Sequence, residues 1–419
     1  MTIHRRCLAT LAVLGAVVAV PRAAHAEFPT LQRAIESARS RAIVVAEAEA
    51  ELGVANAHMA GARVSSFGNP YTEIQVDRGW TTPIAGERTG IVQAMSFTYF
   101  PLDWGGQRGK RIEEAERLIA WRKIGIVNAR AIATGEAVSA YGEMVVGAQR
   151  IVEAAAGEQT ARDEAKYFQG RFEAKDTTLY EKSLAEAEVA RWVQSKAEAT
   201  VRVAQARARF GEVTGSPRVD LPPANTPVAP PTLRASWDDA QIGKLVDRTP
   251  IVARLAAEQH YWDASIERYE REKLPPVSLE VIAGRGGGFG ELRLGGGAVI
   301  TFPITRRFQG EIARAEKGRE NANRQLELYR TIIETRLRAA RDAILAVRSA
   351  LDELDVSGIP ALERAVTAAV DGFKAGKVDL TRALLARRDL ALARARRLDL
   401  IEAAWRAYAD LVILSGDLP

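Results

Sequence analysis

From Gln107 to about Phe168 the chain runs without a proline, and apolar or small residues recur at helical spacing, as in Ile112, Ala115, Leu118, Ile119, Ile126 and Ile132. About 60 residues at 1.5 Å each make a rod of roughly 90 Å. A compact globule has no room for it, so the segment belongs to a coiled coil or a helical tube. Its face is rich in alanine and other small residues, which favours shallow side-by-side packing of many helices over one deep core. Two shorter helical segments, Thr30 to Ser66 and Thr177 to Thr214, run to roughly 57 Å each. Laid end to end they outrun the long helix only slightly, so two short helices pair with one long one.

Strand patterns interrupt the helices twice. Thr72, Ile74 and Val76 alternate with Glu73, Gln75 and Asp77 between Tyr71 and Asp77, and Ile91 to Phe100 carries Met95, Phe97 and Tyr99 on one side. Val277, Leu279, Val281 and Ala283 alternate with Ser278, Glu280, Ile282 and Gly284, and Leu292, Leu294, Ala298, Ile300 and Phe302 follow a glycine-rich loop. Four strands of about 8–11 residues with one apolar face match the length and two-residue period of membrane-barrel strands. Two ordinary exposed hairpins are the competing reading.

The two halves of the sequence echo each other. Phe100-Pro101-Leu102 returns as Phe302-Pro303-Ile304, Gly157 as Gly358, Phe172-x-Ala174 as Phe373-x-Ala375 and Gly215 as Gly416. The sequence therefore predicts a duplicated unit of helix, hairpin, long helix, turn and helix over residues 27–216 and again over 237–419. A proline-rich linker, 217–236, joins them. Pro360 either kinks or ends the second long helix. Four strands cannot close a barrel, since the smallest known have eight. Strands of this kind in a membrane require several chains to share one barrel.

Residues 1–26 have the features of a secretion signal: Arg5 and Arg6, an apolar stretch Leu8 to Val20, and Ala24-His25-Ala26 as the cleavage site. No lipoprotein box surrounds Cys7. With the leader removed no cysteine remains, only His58 and His260 of the four histidines are left, and 55 basic residues face 53 acidic ones. That composition excludes disulfides, zinc fingers and cysteine nucleophiles, and gives no surplus of positive charge for nucleic acid. Gly105 to Arg111 lacks the spacing of a Walker loop, Gly284 to Gly297 lacks the dinucleotide fingerprint, and no catalytic constellation is present. No cofactor is implied, and the chain does not read as an enzyme.

Asn69-Pro70 precedes the first strand. Phe100-Pro101-Leu102-Asp103-Trp104-Gly105-Gly106-Gln107-Arg108-Gly109-Lys110-Arg111 follows the second, and Gln309-Gly310-Glu311-Ile312-Ala313-Arg314-Ala315 the fourth. Phe373-x-x-Gly376-x-x-x-Leu380 follows the last turn. In this order the motifs resemble the TolC-like outer-membrane efflux family over almost the whole mature chain, and they are most similar to its CzcC-type heavy-metal cation branch. The resemblance implies a mainly α protein with a small β part, in which a long α-helical coiled-coil barrel carries four strands per chain into a shared trimeric 12-stranded outer-membrane β-barrel. It further implies a homotrimer in outer-membrane lipid of a Gram-negative bacterium, reaching across the periplasm to an adaptor and to a resistance-nodulation-division type inner-membrane pump. The chain would be a passive exit duct for metal cations. A duct for drug efflux or type I protein secretion is the alternative within the class, and a soluble periplasmic scaffold or adaptor the alternative outside it.

The resemblance also places functional residues. The turns Gln169 to Leu179 and Asp371 to Leu380 correspond to the periplasmic tip, with Gly170, Phe172, Ala174, Gly372, Phe373, Ala375 and Gly376 as the adaptor contact. Lys175 stands where a turn glycine is usual. Acidic residues that narrow the tunnel are sought in the helix after the second turn, where Arg382 and Leu385 fall at the expected positions and Asp379 is the nearest acid; Asp379 with Asp352, Glu353 and Asp355 is the candidate ring, and solvated helix surface is the rival reading. His58 and His260 are weak candidates for touching a metal. Tyr71, Phe97, Tyr99, Phe100, Trp104, Phe302 and Phe308 are placed as an interfacial aromatic girdle.

Overall fold

The computed structural model describes residues 28–64, 68–81, 89–223, 225–233, 237–286, 291–305 and 307–416. The leader expected over 1–26 lies outside them. The spine is α3 (Gln107–Glu173), 67 residues and about 100 Å long, slightly longer than its sequence pattern predicts. Around its N-terminal half lie α2 (Ile43–Ala62) and α6 (Pro250–Glu272). Around its C-terminal half lie α4 (Leu179–Thr214) and α9 (Leu380–Ser415). Beyond α6 and α9 runs α7 (Gln309–Glu353), so the chain forms a wall of side-by-side helices.

The middle of α3 explains how the wall holds together. Between Ala129 and Gly147 nearly every turn is buried, and small residues let neighbouring helices approach closely. Tyr141 and Met144 pack there with Phe210 of α4 and with Leu398, Ile401, Trp405 and Tyr408 of α9. Phe28 joins from the N-terminal side, with its ring 5.0 Å from that of Tyr141. A Cβ on Gly142 would overlap the Trp405 ring, and one on Gly157 the Trp192 ring. The proline-rich linker is tied to this belt by the Trp405 indole, whose N–H donates to the Val228 carbonyl at 2.8 Å. A second cluster joins α5 (Asp239–Val246) and α6 to α7 and α9 through Ile242, Val252, Leu337 and Leu411.

Two helices differ from their sequence patterns. The first segment is split into α1 (Leu31–Arg41) and α2, because Ala42 takes an extended backbone (ψ 139°) while its N–H still bonds the Ala38 carbonyl. Ala42 is buried at this bend beside Val45, Ala129 and Ala133. At the other end, the helical path continues past Pro360. A five-residue π-helical turn, Leu354–Gly358, links α7 to α8 (Ile359–Lys374) and places Pro360 in the first turn of α8, where its missing N–H is tolerated.

The strands form one antiparallel sheet in the order β1 (Tyr71–Thr81), β2 (Thr89–Leu102), β3 (Val277–Gly286), β4 (Glu291–Ile300). Its central pairing, β2 with β3, joins the hairpin that precedes α3 to the hairpin that follows α6. Trp104 reinforces this junction by donating its indole N–H to the Pro275 carbonyl at 2.8 Å.

Because Gly142 fits directly beneath Trp405, Gly142→Ala is expected to destabilise the helical wall by about 1–3 kcal/mol. Thermal unfolding followed by helical circular dichroism checks it, with Gly53→Ala, at a site open to solvent, as the control.

Candidate functional site

The sheet has two chemically distinct faces. Ile74 pairs with Ser96, Ser96 with Ala283 and Ala283 with Leu294, and the rows above and below add Val76, Leu279, Val281, Leu292 and Ile300. This face is apolar and uncovered: Ile74 is 74% exposed and Leu294 75% exposed. The other face carries Glu73, Gln75, Asp77, Glu280, Glu291 and Arg293.

The faces of β1, β3 and β4 follow the sequence pattern, but β2 does not divide as its aromatics suggest. Register puts Tyr99 opposite Tyr71 and Glu280, and Phe97 opposite Glu73. The Tyr71 and Tyr99 rings stack at 4.7 Å on the polar side. Of the proposed girdle, Tyr71, Phe97 and Tyr99 thus share the polar face and Phe100 lies on the apolar one. Phe308 sits at the start of α7 against Tyr269.

Glycines on the polar face let its longer side chains lie down. Met95 covers Gly284 and Gln93 covers Gly286, while a Cβ on Gly297 would stand 3.1 Å from the Glu280 carboxylate. Both outer strands, β1 and β4, have no partner on their far sides among the described residues.

The tips lie at the opposite end of the helices. In the α3–α4 turn, Lys175 adopts a left-handed backbone (φ 59°), the conformation that Gly376 (φ 69°) takes in the α8–α9 turn. Arg171 steadies the first turn by an ion pair to Asp176 at 2.8 Å, and Thr178 and Glu181 form a reciprocal capping box at the start of α4. The Glu181 carboxyl is held below its usual pKa by the Thr177 hydroxyl and the Thr178 N–H. Gly170, Ala174, Ala375 and Gly376 are exposed, and Phe172 lies beneath the Lys182 ammonium at 5.2 Å. Gly372 is the more constrained of the tip glycines, since a Cβ there would press on Val378, whereas Gly170 has open space around it. Phe373 packs with Phe168 of α3 at 5.9 Å, beside Leu380 and Ala185, so the two tips contact one another. Slightly further up, Arg387 of α9 pairs with Glu164 of α3, and burial lowers the guanidinium below its usual pKa.

The acidic candidates are not gathered at one level. Asp379 caps α9, accepting the Arg382 backbone N–H at 2.8 Å. Asp355 lies in the π-helical turn and grips Arg397 at 2.5 and 3.0 Å, while Asp352 and Glu353 occupy the last turn of α7. The 16 residues of α8 put about 24 Å between that group and the turn. Arg382 is exposed.

His58 of α2 lies 3.8 Å from the Glu114 carboxylate, which is already engaged by Arg268 at 2.6 Å, and His260 is exposed on α6. Among the described residues no group of three or more His, Cys, Asp or Glu is placed to hold a metal ion. Glu114, 3% exposed, was not singled out by any sequence motif, since only the fold brings Arg268 to it. Burial opposes the Arg268 charge, and the Glu114 carboxylate more than offsets that, keeping the guanidinium above its usual pKa.

A wall of long helices that carries a small antiparallel sheet with one apolar, uncovered face is the fold of the TolC-like outer-membrane channels, as the sequence motifs imply. The chain is 24% identical over 318 residues, 75% of each chain, to the cobalt-zinc-cadmium resistance protein CzcC of Cupriavidus metallidurans. A membrane protein from Pseudomonas aeruginosa has the same fold with a TM-score of 0.76 at 15% identity, covering 91% of this chain and 92% of that one. The CmeC outer membrane channel of Campylobacter jejuni matches with a TM-score of 0.74 at 14% identity, covering 92% of this chain and 85% of the other. No protein-family model matches the chain.

Replacing Arg268 by Met leaves the Glu114 carboxylate buried and without its cation, an expected loss of about 3–5 kcal/mol. The double variant Glu114→Leu with Arg268→Met is expected to recover most of it, and a double-mutant cycle on thermal midpoints measures the coupling. At the first tip, Lys175→Gly relieves a left-handed backbone that costs other residues about 1–2 kcal/mol. A raised thermal midpoint and slower proteolysis at the turn are expected.

Proposed function

We propose that the chain is the outer-membrane exit duct of a tripartite efflux system, assembled as a homotrimer whose twelve strands close one β-barrel and whose helices form a tunnel across the periplasm. The observation that carries this reading is the sheet, with one mostly apolar face, its polar opposite face and, among the described residues, two open edges. Lipid tolerates no unpaired strand edge, so a sheet of this kind enters a membrane only when neighbouring copies close it. From the Leu102 row to the Ala94 row the apolar face runs about 26 Å along the strand, which at the usual barrel tilt is about 20 Å of height, most of the ~25 Å apolar band of outer-membrane barrels.

The turns at the far end of the helices, with Gly170, Phe172, Ala174, Gly372, Phe373, Ala375 and Gly376, are the proposed contact with a periplasmic adaptor and, through it, with an inner-membrane pump that supplies the energy. Asp379, Arg382, Asp352 and Asp355 remain the candidates for charged positions along the tunnel, at two levels. The likeness to a cobalt-zinc-cadmium resistance protein supports heavy-metal cations as the exported substrate. Metal would pass through as cargo, and His58 and His260 are not needed to hold it.

Deletion of the gene, with complementation, is expected to sensitise the bacterium to zinc, cobalt or cadmium salts and to leave growth on dyes and antibiotics unchanged. Sensitivity confined to organic compounds would keep the duct and overturn the metal assignment. Recovery of the protein with soluble periplasm and its absence from outer membranes would overturn the duct itself.

A further inference from the structure

The charges of the sheet are sorted by face with two exceptions. Every carboxylate of the described strands, Glu73, Asp77, Glu280 and Glu291, lies on the polar face, as does Arg293. Arg78 and Arg285 lie on the apolar face. Arg285 shares its row with Val76, Ala94 and Leu292, and Arg78 sits one pleat repeat further on beside Val92. Both are exposed, and neither has an ion-pair or hydrogen-bond partner among the described residues. They stand at the hairpin-turn end of the sheet, away from the helices.

Trp80 completes the group. Its ring lies over Gly90, where a Cβ would stand 3.4 Å from it, and the Arg78 guanidinium sits 5.4 Å from the ring centroid. An arginine on the lipid side of a barrel costs about 2–4 kcal/mol at the bilayer midplane and about 0–1 near its surface. Two arginines at the end of the apolar band therefore fit the interface, where their long stems keep the charge at headgroup level and tryptophan is also favoured. Guanidinium groups bind phosphate through paired N–H donors, and among the described residues of the strands this face has no carboxylate to repel it. Two strand spacings and one pleat repeat separate the two positions by about 12 Å, which suits a headgroup with two separated phosphates.

We propose that Arg78, Arg285 and Trp80 form a site on the outer wall of the barrel for the phosphorylated headgroup of a glycolipid, a disaccharide bearing a phosphate at each end, in the leaflet at the hairpin end. The site rests on the reading of the sheet as part of an outer-membrane barrel. Trp80 packs against the sugar and the lipid boundary while the two arginines take the phosphates. Six such arginines would ring the trimer.

The test uses the full-length protein purified in neutral detergent, with the temperature of trimer dissociation measured against added diphosphoryl lipid A, fully dephosphorylated lipid A and phosphatidylglycerol. Diphosphoryl lipid A is expected to raise that temperature at concentrations about tenfold lower than either comparison lipid, a difference of about 1.4 kcal/mol. The Arg78→Gln, Arg285→Gln double variant is expected to assemble and reach the outer membrane but to lose the tenfold preference. Trp80→Ala is expected to weaken the response and keep the preference for phosphate. An equal response to dephosphorylated lipid A, or a preference unchanged in the double variant, would overturn the site. An equal response to phosphatidylglycerol would overturn the glycolipid as its occupant. Absence of the wild-type chain from the outer-membrane fraction would overturn the barrel reading instead, and that measurement is independent of lipid preference.

Discussion

An open strand edge in a medium without water has no partner for its N–H and C=O groups, and this constraint governs the assembly proposed for the molecule. The sheet is too small to hide its own edges, and among the described residues no element covers its apolar face. The helices below meet a related condition: a thin wall buries only part of each helix, so apolar side chains such as Val54, Tyr180 and Leu328 remain exposed along it. In the proposed trimer one arrangement answers both needs, because the neighbour that pairs with a strand edge also lies against the flank of the wall.

Within the chain, stability is concentrated around the middle of α3. There the packing is apolar and close, with tryptophan over glycine and a linker carbonyl bound to the Trp405 indole. Towards the sheet and towards the tips, contacts shift to ion pairs, from Lys110 with Glu267 and Glu114 with Arg268 at one end to Glu158 with Lys196 and Glu164 with Arg387 at the other. Most of these are partly exposed, and exposed pairs contribute little to stability. A firm belt with polar ends leaves the extremities, where partners and membrane are proposed to bind, less tightly fixed than the centre.

The long helix, the two hairpins and the faces of three strands were legible because their periods of 3.6 and 2 extend over many residues. The division at Ala42 was not, since alanine favours helix and the bend is imposed by tertiary packing against α3. The faces of β2 were obscured because Met95, Phe97 and Tyr99 look like a membrane-facing stripe until the register with Glu73 and Glu280 is known. The turn glycine expected at position 175 is replaced by Lys175, yet the backbone keeps the same left-handed form, so conformation there was easier to anticipate than residue type. Glu114 and Arg268 are 154 residues apart, and no local pattern links them.

The glycines of β3 and β4 have an effect on the polar face beyond pairing. Met95, Gln93 and Glu280 recline over them instead of standing upright. In the proposed barrel, side chains that lie flat over these positions leave the width there to be set by the backbone. Discrimination by size at this level of the proposed duct is then weak, and any sieving of solutes falls to its other parts.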